Sequence, residues 1–291
     1  MGKSAIGIKL ARKINGEIVN CDSMQVYKGF DIGTDKPPLE RREGIPHHLL
    51  DLVEASTQFT AADFVAGALR ACAKILARKK IPLIVGGTGL YIKALCDGLF
   101  PGPGKNPEIR RLLENECKEK GLESLRRRLE TVDPVYARKI GPNDKIRTIR
   151  ALEIYSSTRK PISEHFLNTR SFVDSFNLTL IGLQLDRLVL YKRIEERVDM
   201  MYEKGLIAEV ENLLARGIRE DSPPFRALGY KYVIRTLKKL IPLEEAMALT
   251  KIDTRHYAKR QMTWFRKMKD VHWFSPDDFP SILAFVEDRL R

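Results

Sequence analysis

Three short stretches of this chain carry side chains suited to chemistry. The first is Gly2-Lys3-Ser4, at the head of "MGKSAIGIKL". A phosphate-binding loop uses glycine so that backbone N–H groups can face the anion. It adds a Lys for the outer phosphates, a Ser or Thr hydroxyl for Mg²⁺ and the dipole of the helix that follows. Only the last three residues of GxxxxGK[ST] are present, so the residues alone leave two readings open, the tail of such a loop or an ordinary exposed N-terminus. The second stretch is "NCDSMQVYKGFDIGTDKP", where Asp22 follows a short apolar run. A carboxylate there can serve as a base, a metal ligand or a hydrogen-bonding platform, or can merely cap the next turn. The third is "VGGTGLY": a strand running into Gly86-Gly87-Thr88-Gly89 and then a helix exposes backbone amides and a hydroxyl, a good anion site.

Other candidates carry less. "GIPHHLLD" sets His47 beside His48, but adjacent side chains point to different faces and no third ligand stands nearby, so a structural role is expected rather than metal binding. Cys21, Cys72, Cys96 and Cys117 form no CxxC pair and no zinc-like Cys/His spacing, as expected of reduced residues in a cytoplasmic protein. No signal peptide and no apolar run of the roughly 18 residues that a membrane span requires is visible.

Charge points to an acidic partner. The chain has 51 Lys+Arg against 38 Asp+Glu, a net +13. Residues 105–170 hold 16 Lys/Arg against 10 Asp/Glu, about half of the excess. In "NDKIRTIRALEIY", Arg147 and Arg150 share a helix face. Residues 251–269 hold seven Lys/Arg and one acid, interleaved with His256, Tyr257, Trp264 and Phe265. Cations pair with phosphates and rings stack on bases, so the composition suits RNA.

The elements that must position these residues follow from periodicity. Ile6, Leu10 and Ile14 recur at four-residue spacing, a helix face over 4–14. "EIVNCDS" reads as a short buried strand, "AADFVAGALRACAKILARKK" as an amphipathic helix entered through Thr60, and "IPLIVGGTGLYIKAL" as strand, glycine turn and helix. Helix and strand in alternation imply a parallel sheet with crossover helices, and ligands there bind beyond the carboxyl ends of the strands. "FPGPGKNP" breaks this pattern. Helices alone are expected over 105–175, as an insertion, before "FNLTLIGLQLD" (176–186) returns as a strand and long helices complete the chain.

Taken in order, "GKS", "GEIVNCDSMQVYKGFDIGTDKP", "GIPHHLLD", "ADF", "IPLIVGGTGLYIKAL", "NDKIRTIRALEIY", "LYKRIEERVDMM", "RALGYK" and "AKRQMTWFRK" resemble the tRNA dimethylallyltransferase (tRNA isopentenyltransferase) family along nearly the whole chain. The resemblance implies an α/β fold with a P-loop NTPase-like parallel sheet, of the kind that binds nucleotides such as ATP. Its core would span 1–104 and 176–291, with a helical tRNA-binding insertion at 105–175. The implied reaction moves a dimethylallyl group from its diphosphate to N6 of the adenosine just 3′ of the anticodon, in tRNAs reading codons that begin with U. By motif, Asp22 is then the general base, and Ser23, Met24 and Gln25 help to hold the flipped-out base. Gly2, Lys3 and Ser4 bind the diphosphate, Ser4 with its Mg²⁺. Thr88 bonds a diphosphate oxygen, and Arg110 reaches into the reaction channel. Ile146, Arg147 and Arg150 match one tRNA-contacting segment, although the bacterial pattern often begins Gln-Arg. Arg226, Gly229, Tyr230 and Lys231 in "RALGYK" match another. The implied protein is a cytoplasmic monomer with tRNA and dimethylallyl diphosphate as partners.

The departure is at the start. Family members begin with a strand and then GPTAxGK[ST], whereas here Met1 occupies the x position. A catalytically impaired tRNA-binding relative is therefore one alternative. An enzyme acting on free adenine nucleotides and a small-molecule P-loop kinase are two others. The basic insertion argues against the first of these two, and DSMQVY with GGTGLY against the second.

Overall fold

The computed structural model describes residues 2–100, 102–167, 169, 171–173 and 176–291; Met1 and parts of the 168–175 stretch lie outside the described residues. The chain divides into two compact units, one of residues 1–92 with 177–291 and the other of residues 93–176.

In the first unit, α1 (Lys3–Lys13) leads into β1 (Gly16–Cys21), all six of whose residues are buried. β1 is the middle of a three-stranded parallel sheet, paired with β2 (His47–His48) on one edge and β3 (Ile81–Gly86) on the other. The register sets Gly16 opposite Ile81 and Cys21 opposite Gly86, so both strands end at the same edge. Helix α2 (Ala61–Ala77) crosses between them, opened by a Thr60–Asp63 capping box that satisfies two otherwise orphan donors. The turn after β3 starts α3 (Gly89–Asp97). Among the described residues all strand pairing is parallel, as the alternation of elements implies.

One expectation is corrected here. The strand expected over 176–186 is β4 (Leu180–Leu183), and it does not pair with the first sheet among the described residues. Its partner is β5 (Val271–Phe274), which follows helices α8 (Arg187–Glu203), α9 (Leu206–Ala215), α10 (Tyr230–Leu237) and α11 (Leu243–Phe265) and precedes α12 (Phe279–Leu290). A four-residue run between a basic helix and Pro276 is too short for alternation to reveal, and β5 is found only through its partner.

The core of this unit joins the segment after β1 to the later helices. Phe30 meets Phe225 and Tyr230 at ring-centroid distances of 5.1 and 5.3 Å, among Val26, Leu206, Val210 and Leu213. One charge is buried as well. Glu17, the second residue of β1, is ringed by His48 (2.7 Å), Arg78 (2.6 Å) and Lys80 (3.1 Å). Burial alone would raise its pKa, but the hydrogen bonds from His48, Lys80 and Arg78 hold it down at about 2, against 4.5 for the free group. Because the folded pKa is the lower, this stabilisation is present above pH 4.5 and is lost as pH falls towards 2. Glu17→Gln is expected to lower unfolding free energy by about 2 kcal/mol at pH 7. In urea titrations its deficit against wild type should shrink steadily below pH 4.5.

The second unit is helical. It comprises α4 (Pro107–Val132), α5 (Pro134–Lys139), α6 (Lys145–Thr158) and α7 (Ile162–Leu167), packed on Leu125, Leu129, Leu152 and Ile154. Positive φ at Gly121 (78°) interrupts α4, which is two helical runs joined at that glycine. Asn106 caps α4, Asp133 caps α5 and Asp144 caps α6. Thr148 is fully buried, and its hydroxyl finds no hydrogen-bond partner among the described residues. An orphan buried hydroxyl costs about 1–3 kcal/mol. Thr148→Val, which keeps the shape, is expected to raise unfolding free energy by about 1 kcal/mol; urea unfolding of the full chain measures it.

Candidate active site

The carboxyl ends of β1 and β3 bring two of the sequence motifs together. Asp22 leaves β1 in a tight turn, its Oδ1 accepting from the backbone N–H of Met24 (2.8 Å) and Gln25 (3.4 Å). The β3 turn is tied to the same place. The N–H groups of Gly87 (3.2 Å) and Thr88 (3.3 Å) donate to the Cys21 carbonyl, and Ser23 N–H donates to Thr88 Oγ1 (3.1 Å). Thr88 Oγ1 thus accepts one bond and retains its own O–H to donate.

Asp22 lies on the wall of a cavity of about 730 Å³ within the first unit. Lys3 and Ser4 of α1 line it, as do Ser23, Met24, Gln25 and Arg226. Its wall carries seven basic side chains against three acidic ones, which makes it a site for an anion. Burial lowers the Lys3 pKa and the Arg197 guanidinium lowers it further, while Asp22 and Asp35 pull it back up. Asp35 bridges towards one of these cations, 3.4 Å from Arg197 Nε.

The remaining sequence candidates fall into three groups. Gln25 is nearly buried, and its amide donates to the carbonyls of Thr34 (3.0 Å) and Asp35 (3.1 Å), so it braces the 31–36 loop from below. Gly229 has a positive φ (97°) that starts α10, and Lys231 is ion-paired with Asp253 at 2.7 Å. Tyr230, in the segment matched to a tRNA contact, is fully buried. Its hydroxyl donates to Glu209 (2.6 Å), whose carboxylate also accepts the N–H groups of Asp31, Ile32 and Gly33 at 3.1, 2.7 and 3.3 Å. Tyr230 is a fastening of the cavity wall. Arg110, Ile146, Arg147 and Arg150 belong to the second unit. There Arg110 (2.8 Å) and Arg150 (3.1 Å) flank the buried Glu153, Arg147 lies 3.4 Å from Asp144, and Ile146 is 76% exposed. Burial would raise the Glu153 pKa, but Arg110, the Asn106 N–H and Arg150 bring it down, so the carboxylate stays charged and holds both arginines.

Matched to known families, residues 25–268 fit the IPP transferase model. The chain belongs to the IPP transferase family. It is 48% identical to the tRNA dimethylallyltransferase of Geobacter metallireducens over 98% of this chain and 93% of the relative. It is 50% identical to that of Carboxydothermus hydrogenoformans over 94% and 88%. The full-length tRNA isopentenylpyrophosphate transferase of Bacillus halodurans superposes with a TM-score of 0.72 at 39% identity, covering 99% of this chain and 93% of that one. A eukaryotic dimethylallyltransferase described as acting on tRNA superposes with a TM-score of 0.83 at 32% identity, covering 99% and 74%. The P-loop NTPase-like α/β fold expected from the sequence is the fold of this family member.

The family member's cavity also holds residues to which the motifs assigned no role. Arg193 and Arg197, four apart on α8, reach it together with Leu190, Ile194, Val198 and Met201. Their sequence signal is the LYKRIEERVDMM motif, with cations interleaved among apolar residues on one helical face. Tyr257, Arg260 and Gln261 of α11 reach it as well. Among the described residues no three His, Cys, Asp or Glu side chains cluster as a metal site.

Proposed function

We propose that this chain transfers a dimethylallyl group from dimethylallyl diphosphate to N6 of the adenosine 3′-adjacent to the anticodon, in tRNAs reading codons that begin with U. The observation that carries the reading is Asp22, held at the carboxyl end of β1 beside Thr88 and facing a cavity with excess positive charge. The reaction needs those two features. The adenine amine attacks the allylic carbon, the carbon–oxygen bond breaks, and diphosphate leaves with the bonding electrons. Lys3, Arg197 and the N-terminus of α1 stabilise that developing charge, and the Thr88 O–H donates to an oxygen of the leaving group. Asp22 takes the proton from N6.

Mg²⁺, which fits a diphosphate site, would be held by the Ser4 hydroxyl and diphosphate oxygens. One protein oxygen is enough for that ion, which usually keeps several waters, and it would neutralise the leaving group. In the second unit the exposed Ile146, with Arg147, Arg150 and Arg110, supplies surface and charge for the stem-loop. A target base inside such a stem-loop has to be extruded to be reached.

The test is transfer of radiolabelled dimethylallyl from its diphosphate, with purified tRNA and AMP offered side by side. Label in tRNA alone, at the adenosine next to the anticodon, is expected. Label in AMP at an equal rate points to a free-nucleotide enzyme, and salt-sensitive tRNA binding without label to a non-catalytic binder.

A further inference from the structure

The Gly86-Gly87-Thr88-Gly89 turn is fastened on one side to the Asp22 segment through the Cys21 carbonyl and Ser23 N–H. What holds its other side comes from α11. Thr254, Tyr257, Ala258 and Gln261, spaced three, four and seven apart, bring one face of that helix to the cavity. Gln261 Nε2 donates to the Gly87 carbonyl at 2.7 Å. A carbonyl only accepts, so the amide nitrogen of Gln261 has to face the turn. The contact is close enough that a Cβ on Gly87 would lie 2.2 Å from that nitrogen. Trp264 packs over Gly89 one turn further on.

We infer that Gln261 is a positioning residue for the group transfer proposed above, holding the turn that carries Thr88 in register with the segment that carries Asp22. The inference rests on that reading for its chemistry and on the hydrogen bonds for its geometry. Three glycines in four residues leave this turn with the greatest backbone freedom a chain can have, so its position depends on what it is bonded to. Without Gln261 the Gly87 carbonyl loses that donor, and the turn keeps its bonds to residues 21–23 and to the start of α3. A displacement of about 1 Å at a reacting centre costs on the order of 100-fold in rate.

Two variants test this. Gln261→Leu keeps most of the volume and removes the donor; Gln261→Glu keeps the shape but donates only when protonated. Each is measured by single-turnover transfer to tRNA with both substrates saturating, by tRNA affinity, and by hydrogen exchange of a peptide spanning 84–92. For Gln261→Leu the rate constant is expected to fall about 10- to 100-fold. Its tRNA Kd should stay within about twofold and residues 84–92 should exchange faster. Gln261→Glu is expected to be equally slow at neutral pH and to gain rate relative to Gln261→Leu as pH falls and its carboxyl group becomes a donor. A role in stability alone predicts a lower melting temperature with the rate unchanged, and that result overturns the inference. If the wild-type chain transfers nothing to tRNA, the reading above fails instead. The fastening is then judged by exchange alone, and unchanged exchange over 84–92 overturns it.

Discussion

Asp22→Asn is expected to lower the rate of dimethylallyl transfer by about 10²- to 10⁴-fold, the range of a lost general base, while tRNA Kd changes by less than about twofold. The turn geometry makes Asn the informative substitution. Asp22 Oδ1 already accepts from the N–H groups of Met24 and Gln25, and an Asn carbonyl oxygen can accept the same two bonds. The turn therefore survives and only the proton acceptor is lost, its place taken by an NH₂ that has no lone pair to offer. Asp22→Ala would also release Met24 and Gln25, mixing a base effect with a displaced wall. Single-turnover transfer at saturating substrates, compared with filter binding of tRNA, separates the two. A rate within about tenfold of wild type would remove Asp22 from the role of base.

The limits of the sequence are physical ones. Asp22 and the glycine turn were legible because an apolar run ending in polar residues marks a strand's carboxyl end, and parallel strands bring such ends to one edge. Their mutual bonds were not, since Cys21, Ser23 and Thr88 meet only through a register that pairs residues 65 positions apart. Tyr230 was visible only as part of the RALGYK motif; its burial comes from Phe30 and Phe225, which belong to other elements and enclose it. Glu17 is similar: a lone acid in an apolar strand is unreadable until β2, the α2 terminus and Lys80 deliver an imidazole and two cations to it. Arg193 and Arg197 were visible as charges on a helix, but which face met a cavity was decided by the packing of α8 against α11. Local pattern gave element types; the site's second half came from long-range contacts that no local pattern encodes.

Lys3→Met is the second large effect expected, and it runs in opposite directions for stability and for function. Lys3 begins α1, whose first turn contains no acid, so the helix's unpaired N–H groups and the ammonium repel each other. Burial and Arg197 weaken the charged form further, and Asp22 and Asp35 only partly compensate. A folded pKa below the free value of 10.5 means that the protonated group opposes folding at neutral pH; the cost is relieved as pH rises through the folded pKa towards 10.5. Replacing the ammonium with a methionine thioether should thus raise the melting temperature of the ligand-free protein. A bound diphosphate reverses the balance, because it gives Lys3, Arg197 and the helix end a shared counter-ion. Wild type should gain about 2.7 kcal/mol from inorganic diphosphate at 100 times its Kd. Lys3→Met should lose most of that gain, and its KM for dimethylallyl diphosphate should rise about 10- to 100-fold. Thermal melts with and without inorganic diphosphate measure both halves. A diphosphate-induced shift equal to that of wild type would mean that the anion binds elsewhere, and that Lys3 is only a partly buried charge without a counter-ion role.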